Sequence, residues 1–418
     1  MYLVIHKHIN MKKFLLTLIP ALFIANSFAQ VDCSGGRYYT PIFTNLDSAM
    51  NVVYGNAEFS AGNFQDLKMD IWWPAGDLVQ NRPLVILAHG GSFIGGTKSD
   101  GGMAEHCRWL ASMGYVAASI DYRLANVIDI ILSADVESTY VNVVYKAVHD
   151  YMAAVRFFRE DAAGANTYQI DPALVIAGGF SAGSIMALHL AYMDQPSELH
   201  PDIVAVNDGG FYGASGHPGY PVNPQAVLNY CGALADTIYM QAGNIPLMSI
   251  HGTADGTVPY GTAMANPGIP VMVVSGSGSI HERALNLGID NPLLAYVGRD
   301  HCEFWTTPAQ SDSTYQFAAD FLQDQLCIQH LYTEQHPNSV FFTAYPNPTT
   351  EQMVIDIPGN DSEWDFSIVN MIGQQVKAGI IPFQQKVYNL DVTGLEAGMY
   401  VVNIYTSTRK ASQKIMVK

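Results

Sequence analysis

From residue 31 to about 328, long apolar runs alternate with segments whose apolar positions recur every three or four residues. PLVILAH (83–89), YVAASIDYRL (115–124), ALVIAGG (173–179), IVAVNDGG (203–210), IPLMSIHG (245–252) and LLAYVG (293–298) are near-continuous apolar runs. Runs of this kind predict strands of a mostly parallel sheet with both faces covered. Between them, GMAEHCRWLASMG (102–114), YVNVVYKAVHDYMAAVRFFRED (140–161) and AGSIMALHLAYM (182–193) read as flanking helices. In the longest of these, Val144, Ala147, Val148, Tyr151, Val155 and Phe158 recur at helical spacing. Strands alternating with helices predict an α/β domain over 31–328.

The pattern changes near residue 340. MVIDIP (353–358), DFSIVN (365–370), KVYNLDVT (386–393), MYVVNIYT (399–406) and QKIMVK (413–418) alternate with period two between polar turns. Short alternating runs predict a small all-β sandwich over 341–418. The polar, proline-bearing stretch before it reads as a linker over 329–340. At the other end, Lys12 and Lys13 precede the apolar run FLLTLIPALFIA, followed by small residues at Ser27 and Ala29. That order reads as a signal peptide over 1–29. The run is short for a bilayer span, and no further membrane-spanning run follows. No leucine-rich lipobox precedes Cys33, so no lipid anchor is expected.

Composition narrows the function classes. The chain has 418 residues, 49% of them apolar and 14% charged, which fits two folded domains and excludes a disordered chain. A net charge of -17 without a basic cluster argues against nucleic acid or anionic membrane as a partner. Export implies a compartment where disulfides persist. The five cysteines, Cys33, Cys107, Cys231, Cys302 and Cys327, leave at least one unpaired within the chain. Position favours a Cys302–Cys327 bridge, closing a loop of about 25 residues worth ~3 kcal/mol in the chain-entropy model. No CxxC, no HExxH and no His/carboxylate cluster occurs, so neither a metal nor another cofactor is expected.

The candidate chemistry centres on GGFSAGS (178–184). Gly179, Ser181 and Gly183 meet the G-x-S-x-G pattern between a predicted strand and a predicted helix. Flanking glycines let a serine sit on a sharp turn, with backbone amides at a helix N-terminus beside it. HGGSFIGG (89–96) follows the strand PLVILA and can turn N–H groups inward. The Gly91, Ser92 and Ala182 N–H groups are the expected oxyanion hole.

A serine nucleophile needs a base, and the base an orienting acid. Asp255 in HGTADGTVP (251–259) and His301 in RDHCEFW (299–305) both follow predicted strands, where sites of open α/β sheets lie. His301 is preferred over His251, His281, His217 and His189. Asp255 is preferred over Asp300 and Asp208. Phe93 and Phe180, each beside a proposed catalytic group, are expected to line an acyl pocket. Trp72 and Trp73 read as core, and Tyr122 and Arg123 as braces at the sheet edge.

Taken in order, HGGSFIGG, DYRL, GFSAGS, HGTADGTVP and the RDHCEFW histidine resemble the secreted α/β-hydrolase esterases of the carboxylesterase and hormone-sensitive-lipase-like groups. The sequence departs from their usual pattern at Ser92, Phe180 and Ser184. The resemblance implies an α/β-hydrolase fold, with Ser181 as nucleophile, His301 as base and Asp255 as orienter. YPNPTTEQMVIDI (345–357), LEAGMYVVNIYT (395–406) and the terminal KIMVK resemble the type IX secretion sorting domain of Bacteroidetes. That resemblance implies passage through the periplasm, recognition by the type IX machinery and a secreted or cell-surface destination. The expectation is a secreted serine esterase acting on small or polymer-linked esters (feruloyl, acetyl or polyester). A serine peptidase and a non-catalytic binding protein on the same scaffold are the alternatives.

Overall fold

The computed structural model describes residues 31–60, 62–200, 203, 210–328, 342–345, 349–357, 362–370, 374–406 and 410–418. The expected signal peptide over 1–29, the linker over 329–340 and most of the expected strand over 203–210 lie outside the described residues. The chain divides into two compact units between Cys327 and Ile328.

The first unit contains β1 (Leu46–Ser60), β2 (Asn63–Pro74), β3 (Arg82–Ala88), α1 (Gly101–Ser112), β4 (Val116–Ile120), α2 (Val127–Ile131), α3 (Val136–Ala163), β5 (Ile170–Phe180), α4 (Ala182–Tyr192) and β6 (Ala226–Tyr230). It continues with β7 (Ala233–Leu234), β8 (Leu247–Gly252), β9 (Thr262–Met264), β10 (Val273–Gly276), α5 (Ser277–Leu287), β11 (Leu293–Tyr296) and α6 (Pro308–Gln323). Eight strands make one sheet in the order β1-β2-β4-β3-β5-β6-β8-β11. The β1–β2 and β2–β4 pairs are antiparallel, and the pairs from β4 to β11 are parallel. A small sheet, β7-β10-β9, stands apart from it.

Alternation along the central strands builds two cores, one on each sheet face. Leu84, Ile86 and Ala88 of β3 join one cluster with Val175 and Ala177 of β5. Val85 and Leu87 join the other with Ile176. The 28-residue α3 packs in the first cluster, and its N-terminus is fixed by Asp135, whose carboxylate accepts from the Ser138 N–H at 3.0 Å. α4 is buried on nearly every side, from Ala182 to Tyr192. A helix enclosed in that way holds its N-terminal turn in one place. Arg123 braces the sheet as expected: its guanidinium pairs with Asp150 of α3 at 2.8 Å and donates to the Glu58 carbonyl at 3.0 Å.

The structure shortens and relocates some expected elements. β4 stops at Ile120 rather than running to 124, because Asp121 turns away to accept from the Lys98 N–H at 2.7 Å. The strand between β5 and β8 is AVLNY, 226–230, a short run absent from the expected strands. The cysteines pair as Cys33–Cys327 and Cys231–Cys302, with Cys107 free and buried. The expected Cys302–Cys327 bridge is therefore replaced. Nearness along the sequence did not reveal that the end of β6 lies beside the Cys302 loop, with Cα atoms 5.7 Å apart.

The second unit is all-antiparallel. Its strands are β12 (Thr343–Tyr345), β13 (Gln352–Asp356), β14 (Trp364–Asn370), β15 (Gln375–Ile381), β16 (Val387–Asp391), β17 (Gly398–Tyr405) and β18 (Lys410–Val417). They form sheets β12-β13-β16 and β15-β14-β17-β18. Inward residues of both sheets, among them Ile355, Leu390, Trp364, Phe366, Val402 and Ile415, share one core, as in a sandwich. Among the described residues, no helix is long and apolar enough to cross a membrane.

Candidate active site

Ser181 sits between β5 and α4 with φ 53° and ψ -115°. That left-handed φ is uncommon for a non-glycine residue and marks a sharp turn. Its neighbours explain the glycines. A Cβ on Gly179 would lie 2.6 Å from the Ala88 carbonyl oxygen, and one on Gly183 2.0 Å from the same atom. The end of β3 thus runs against the turn, and only glycine fits at both positions. Ser184 adds a tie. Its hydroxyl donates to the Gly179 carbonyl and accepts from the Tyr230 N–H at 2.8 Å. The Ser181 N–H itself donates to the Tyr230 carbonyl at 2.9 Å. The Ser181 turn is therefore anchored to the end of β6.

The HGGSFIGG loop packs on this turn: a Cβ on Gly90 would lie 3.4 Å from the Ser181 Cβ. Gly91, Ser92 and Phe93 have φ values of 118°, 55° and 60°. Three successive positive φ angles fold the loop back, so that the Ile94 and Gly95 N–H groups both donate to the Gly91 carbonyl at 3.0 Å. A side chain at 91 would meet the Gly95 carbonyl oxygen at 2.0 Å. Among the described residues, no carbonyl accepts from the Gly91 or Ser92 N–H, and Ala182 is the first residue of α4, where N–H groups lack an intrahelical partner. Tyr122, expected as a brace at the sheet edge, instead supports this loop. It stacks on His89 with ring centroids 4.3 Å apart and donates to the His89 carbonyl at 2.9 Å.

The loops after β8 and β11 bring Asp255 and His301 to Ser181. His301 Nε2 is 2.8 Å from Ser181 Oγ, and His301 Nδ1 is 2.7 Å from Asp255 Oδ2. The Asp255 side chain is fully buried, whereas that of His301 is 22% exposed. Asp255 Oδ1 accepts from the Thr257 and Val258 N–H groups at 2.9 and 2.8 Å. Burial alone would raise the Asp255 pKa. The hydrogen bonds from His251 and His301 outweigh it and hold the carboxyl well below the usual range.

The rival residues fall elsewhere. Asp300 is exposed, and its Oδ1 accepts from the Gly256 and His301 N–H groups at 2.8 and 2.7 Å, tying the two loops together. His281 meets the Asn291 carbonyl at 2.8 Å, and His217 pairs with Glu160. His189 bonds the Ile185 carbonyl inside α4 at 2.7 Å. Asp208 lies outside the described residues. His251 is the exception, because its Nε2 lies 3.1 Å from Asp255 Oδ2. In sequence it reads as the end of a strand, and it does lie at the end of β8. The turn after β8 folds Asp255 back onto His251, a contact that no spacing rule for a strand end encodes.

Phe93 and Phe180, expected together in one acyl pocket, are separated. Phe93 is fully buried and lines a largely apolar cavity with Ser181, Ala182, Val144, Ile185 and Val271. Phe180 lines a more open cleft across the HGGSFIGG loop, with His106, Trp305 and Tyr315 as aromatic walls and Asp100 and Glu105 beside them. Successive residues at the strand end point to opposite faces, so Phe180 turns away from the Ala182 side and stacks on Tyr230 at 4.6 Å. His301 also lies with Cys231 and Cys302, their ligand atoms within 4.8 Å. The two sulfurs are joined to each other and offer no thiolate to a metal.

Residues 69–211 match the BD-FAE family, and residues 343–418 match the secretion system C-terminal sorting domain family. A comparison with curated proteins finds no match. Among solved structures, the chain is similar to Thermogutta terrifontis esterase 2 phosphorylated by paraoxon. The identity is 20%, covering 68% of this chain and 95% of that one, with a TM-score of 0.47. The native form of that thermophilic esterase, from a Planctomycetes species, gives 21% identity over 64% of this chain and 92% of that one, with a TM-score of 0.45. The sorting domain directs the protein through the type IX system to the cell surface or extracellular space. The α/β-hydrolase-like unit thus carries a BD-FAE match over residues 69–211, which supports a carboxylesterase-type hydrolase, and residues 343–418 carry a secretion system C-terminal sorting domain match.

Proposed function

We propose that the protein is a serine esterase that cleaves carboxylic esters through an acyl-enzyme, with Ser181 as nucleophile, His301 as base and Asp255 as orienter. The observation that carries this reading is the unbroken run of hydrogen bonds from Ser181 Oγ through His301 to Asp255, at 2.8 and 2.7 Å. Asp255 can only accept, so His301 Nδ1 carries the proton and Nε2 is free to accept from the serine hydroxyl. Ser181 Oγ attacks the ester carbonyl as its proton passes to Nε2. The imidazolium is stabilised by the Asp255 carboxylate, which its two histidines keep ionised. Negative charge on the carbonyl oxygen meets the N–H groups of Gly91, Ser92 and Ala182. Nε2 then gives its proton to the leaving alcohol, and water, deprotonated at the same nitrogen, releases the acid.

The cavity beside Ala182 is walled by Val144, Ile185 and Val271 and suits an apolar acyl half. The aromatic cleft on the other side of the HGGSFIGG loop is more open and leaves room for the alcohol half, including one carried on a polymer. Feruloyl, acetyl and polyester substrates are the proposed classes, in keeping with export. The test is Ser181→Ala, assayed on p-nitrophenyl esters of graded chain length. Activity should fall by roughly 10^4-fold or more with the fold unchanged. Retained activity overturns the reading, and faster cleavage of aminoacyl anilides than of esters would favour a peptidase.

A further inference from the structure

We propose that the Cys231–Cys302 disulfide is the positioning element that holds His301 in line with Ser181. The proposal rests on the serine-esterase reading above. Cys302 follows His301 directly, and its sulfur lies 3.8 Å from His301 Nε2. Cys231 follows Tyr230 at the end of β6. That corner is the same one that holds the nucleophile: the Tyr230 carbonyl accepts from Ser181 N–H at 2.9 Å, and the Tyr230 N–H donates to Ser184 Oγ at 2.8 Å. On its other side the Cys231 N–H donates to the Ile250 carbonyl of β8 at 2.8 Å. The dipeptide Tyr230–Cys231 therefore fixes the Ser181 backbone by hydrogen bonds and the His301 loop by a covalent bond.

The loop needs such an anchor. It follows β11, which stands at the edge of the eight-stranded sheet beside β8. Its ties to the β8 loop are polar and partly exposed: Ala254 N–H to the Arg299 carbonyl at 2.9 Å, Gly298 N–H to Thr253 Oγ1 at 2.9 Å, and Gly256 N–H to Asp300 at 2.8 Å. Exposed hydrogen bonds each contribute about 1 kcal/mol or less and let a loop shift by fractions of an ångström. Cys231 and Cys302 both sit at left-handed φ, 51° and 52°, a conformation that side chains adopt only when the surroundings enforce it. A displacement of about 1 Å between base and nucleophile is enough to cost roughly 100-fold in rate.

Positioning differs from general stabilisation in what it changes. The second bridge, Cys33–Cys327, lines neither of the two cavities at the site. The experiment compares wild type, Cys231→Ser/Cys302→Ser and Cys33→Ser/Cys327→Ser on a short p-nitrophenyl ester at 25 °C, with the folded fraction followed by near-UV circular dichroism. Loss of the Cys231–Cys302 bridge should lower kcat per folded molecule by roughly 10- to 100-fold with KM changed less than about twofold. Loss of the other bridge should leave kcat per folded molecule unchanged. If the first variant does not fold, folded Cys33→Ser/Cys327→Ser protein is treated with dithiothreitol, which becomes a cyclic disulfide as Cys231 and Cys302 each gain a hydrogen. The same fall in kcat is expected. An unchanged kcat in the bridge-free, folded protein overturns the proposal. A fluorophosphonate adduct on Ser181 of the oxidised wild type keeps that failure distinct from failure of the esterase reading, which would show as no adduct.

Discussion

His251 Nε2 lies 3.1 Å from Asp255 Oδ2, the same oxygen that meets His301 Nδ1 at 2.7 Å. Asp255 thus carries two imidazoles on one oxygen and two backbone N–H groups on the other. The second neighbour of His251 Nε2 is the Val258 carbonyl at 3.0 Å. Both neighbours are acceptors, so this nitrogen carries the proton. His251 Nδ1 then accepts from Ser277 Oγ at 2.7 Å, and Ser277 accepts in turn from Asn229 Nδ2 at 3.0 Å. A buried polar network holds the carboxylate from behind the site.

His251→Phe should lower kcat by roughly tenfold, the scale seen when a supporting hydrogen bond behind a functional group is removed. It should leave KM nearly unchanged and cost about 1–3 kcal/mol of stability, because buried acceptors lose their donor. Placing the same change in an Asp255→Asn background checks the route. The two losses should be strongly non-additive. Full additivity in steady-state kinetics would mean that His251 does not act through Asp255.

The two acids can be told apart directly. Asp255→Asn should lower kcat by about 10^4-fold, because the amide no longer enforces the productive tautomer of His301. Asp300→Asn should change kcat by less than about tenfold, since its exposed carboxylate only docks one loop on another through backbone N–H groups. Equal losses in kcat for the two variants would contradict the assignment of roles.

The Ser184 hydroxyl joins the Gly179 carbonyl to the Tyr230 N–H. Ser184→Ala removes this buried side-chain tie between β5 and β6. Thermal unfolding should show a loss of about 1–3 kcal/mol. A variant as stable as wild type would mean that the turn closes without this tie.

His106 gives the protein a pH-dependent stability. Burial drops its pKa to about 3, against about 6.5 in an unfolded chain. The unfolded chain binds the proton that the folded chain excludes. Stability is therefore full above about pH 6.5 and declines as pH falls through that value toward about 3. In urea titrations across that window, His106→Phe should lose stability less steeply than wild type, by up to ~1.4 kcal/mol per pH unit. Parallel curves would exclude His106 as the source.

Much of this organisation was legible in the sequence, for definite reasons. The apolar runs at 84–88 and 173–179 had to be interior strands, since both faces of each are buried. Ser181, Asp255 and His301 could be singled out because each follows such a run, and the structure brings them together. The second domain announced itself through period-two alternation. What stayed hidden depended on partners distant in sequence. AVLNY at 226–230 is too short and plain to stand out, and only the sheet order makes it the strand beside β5. The disulfide partners, the support given by Tyr122 to the HGGSFIGG loop and the separation of Phe93 from Phe180 all follow from which strand ends lie side by side. No local pattern encodes that.

The central claim is that Ser181 is a nucleophile activated by His301. The most direct measurement is peptide mass mapping after treatment with a fluorophosphonate ester. The account predicts one adduct, on Ser181, formed at least ~100-fold more slowly in the His301→Ala variant. No adduct on Ser181, or one formed at the same rate without His301, would contradict it.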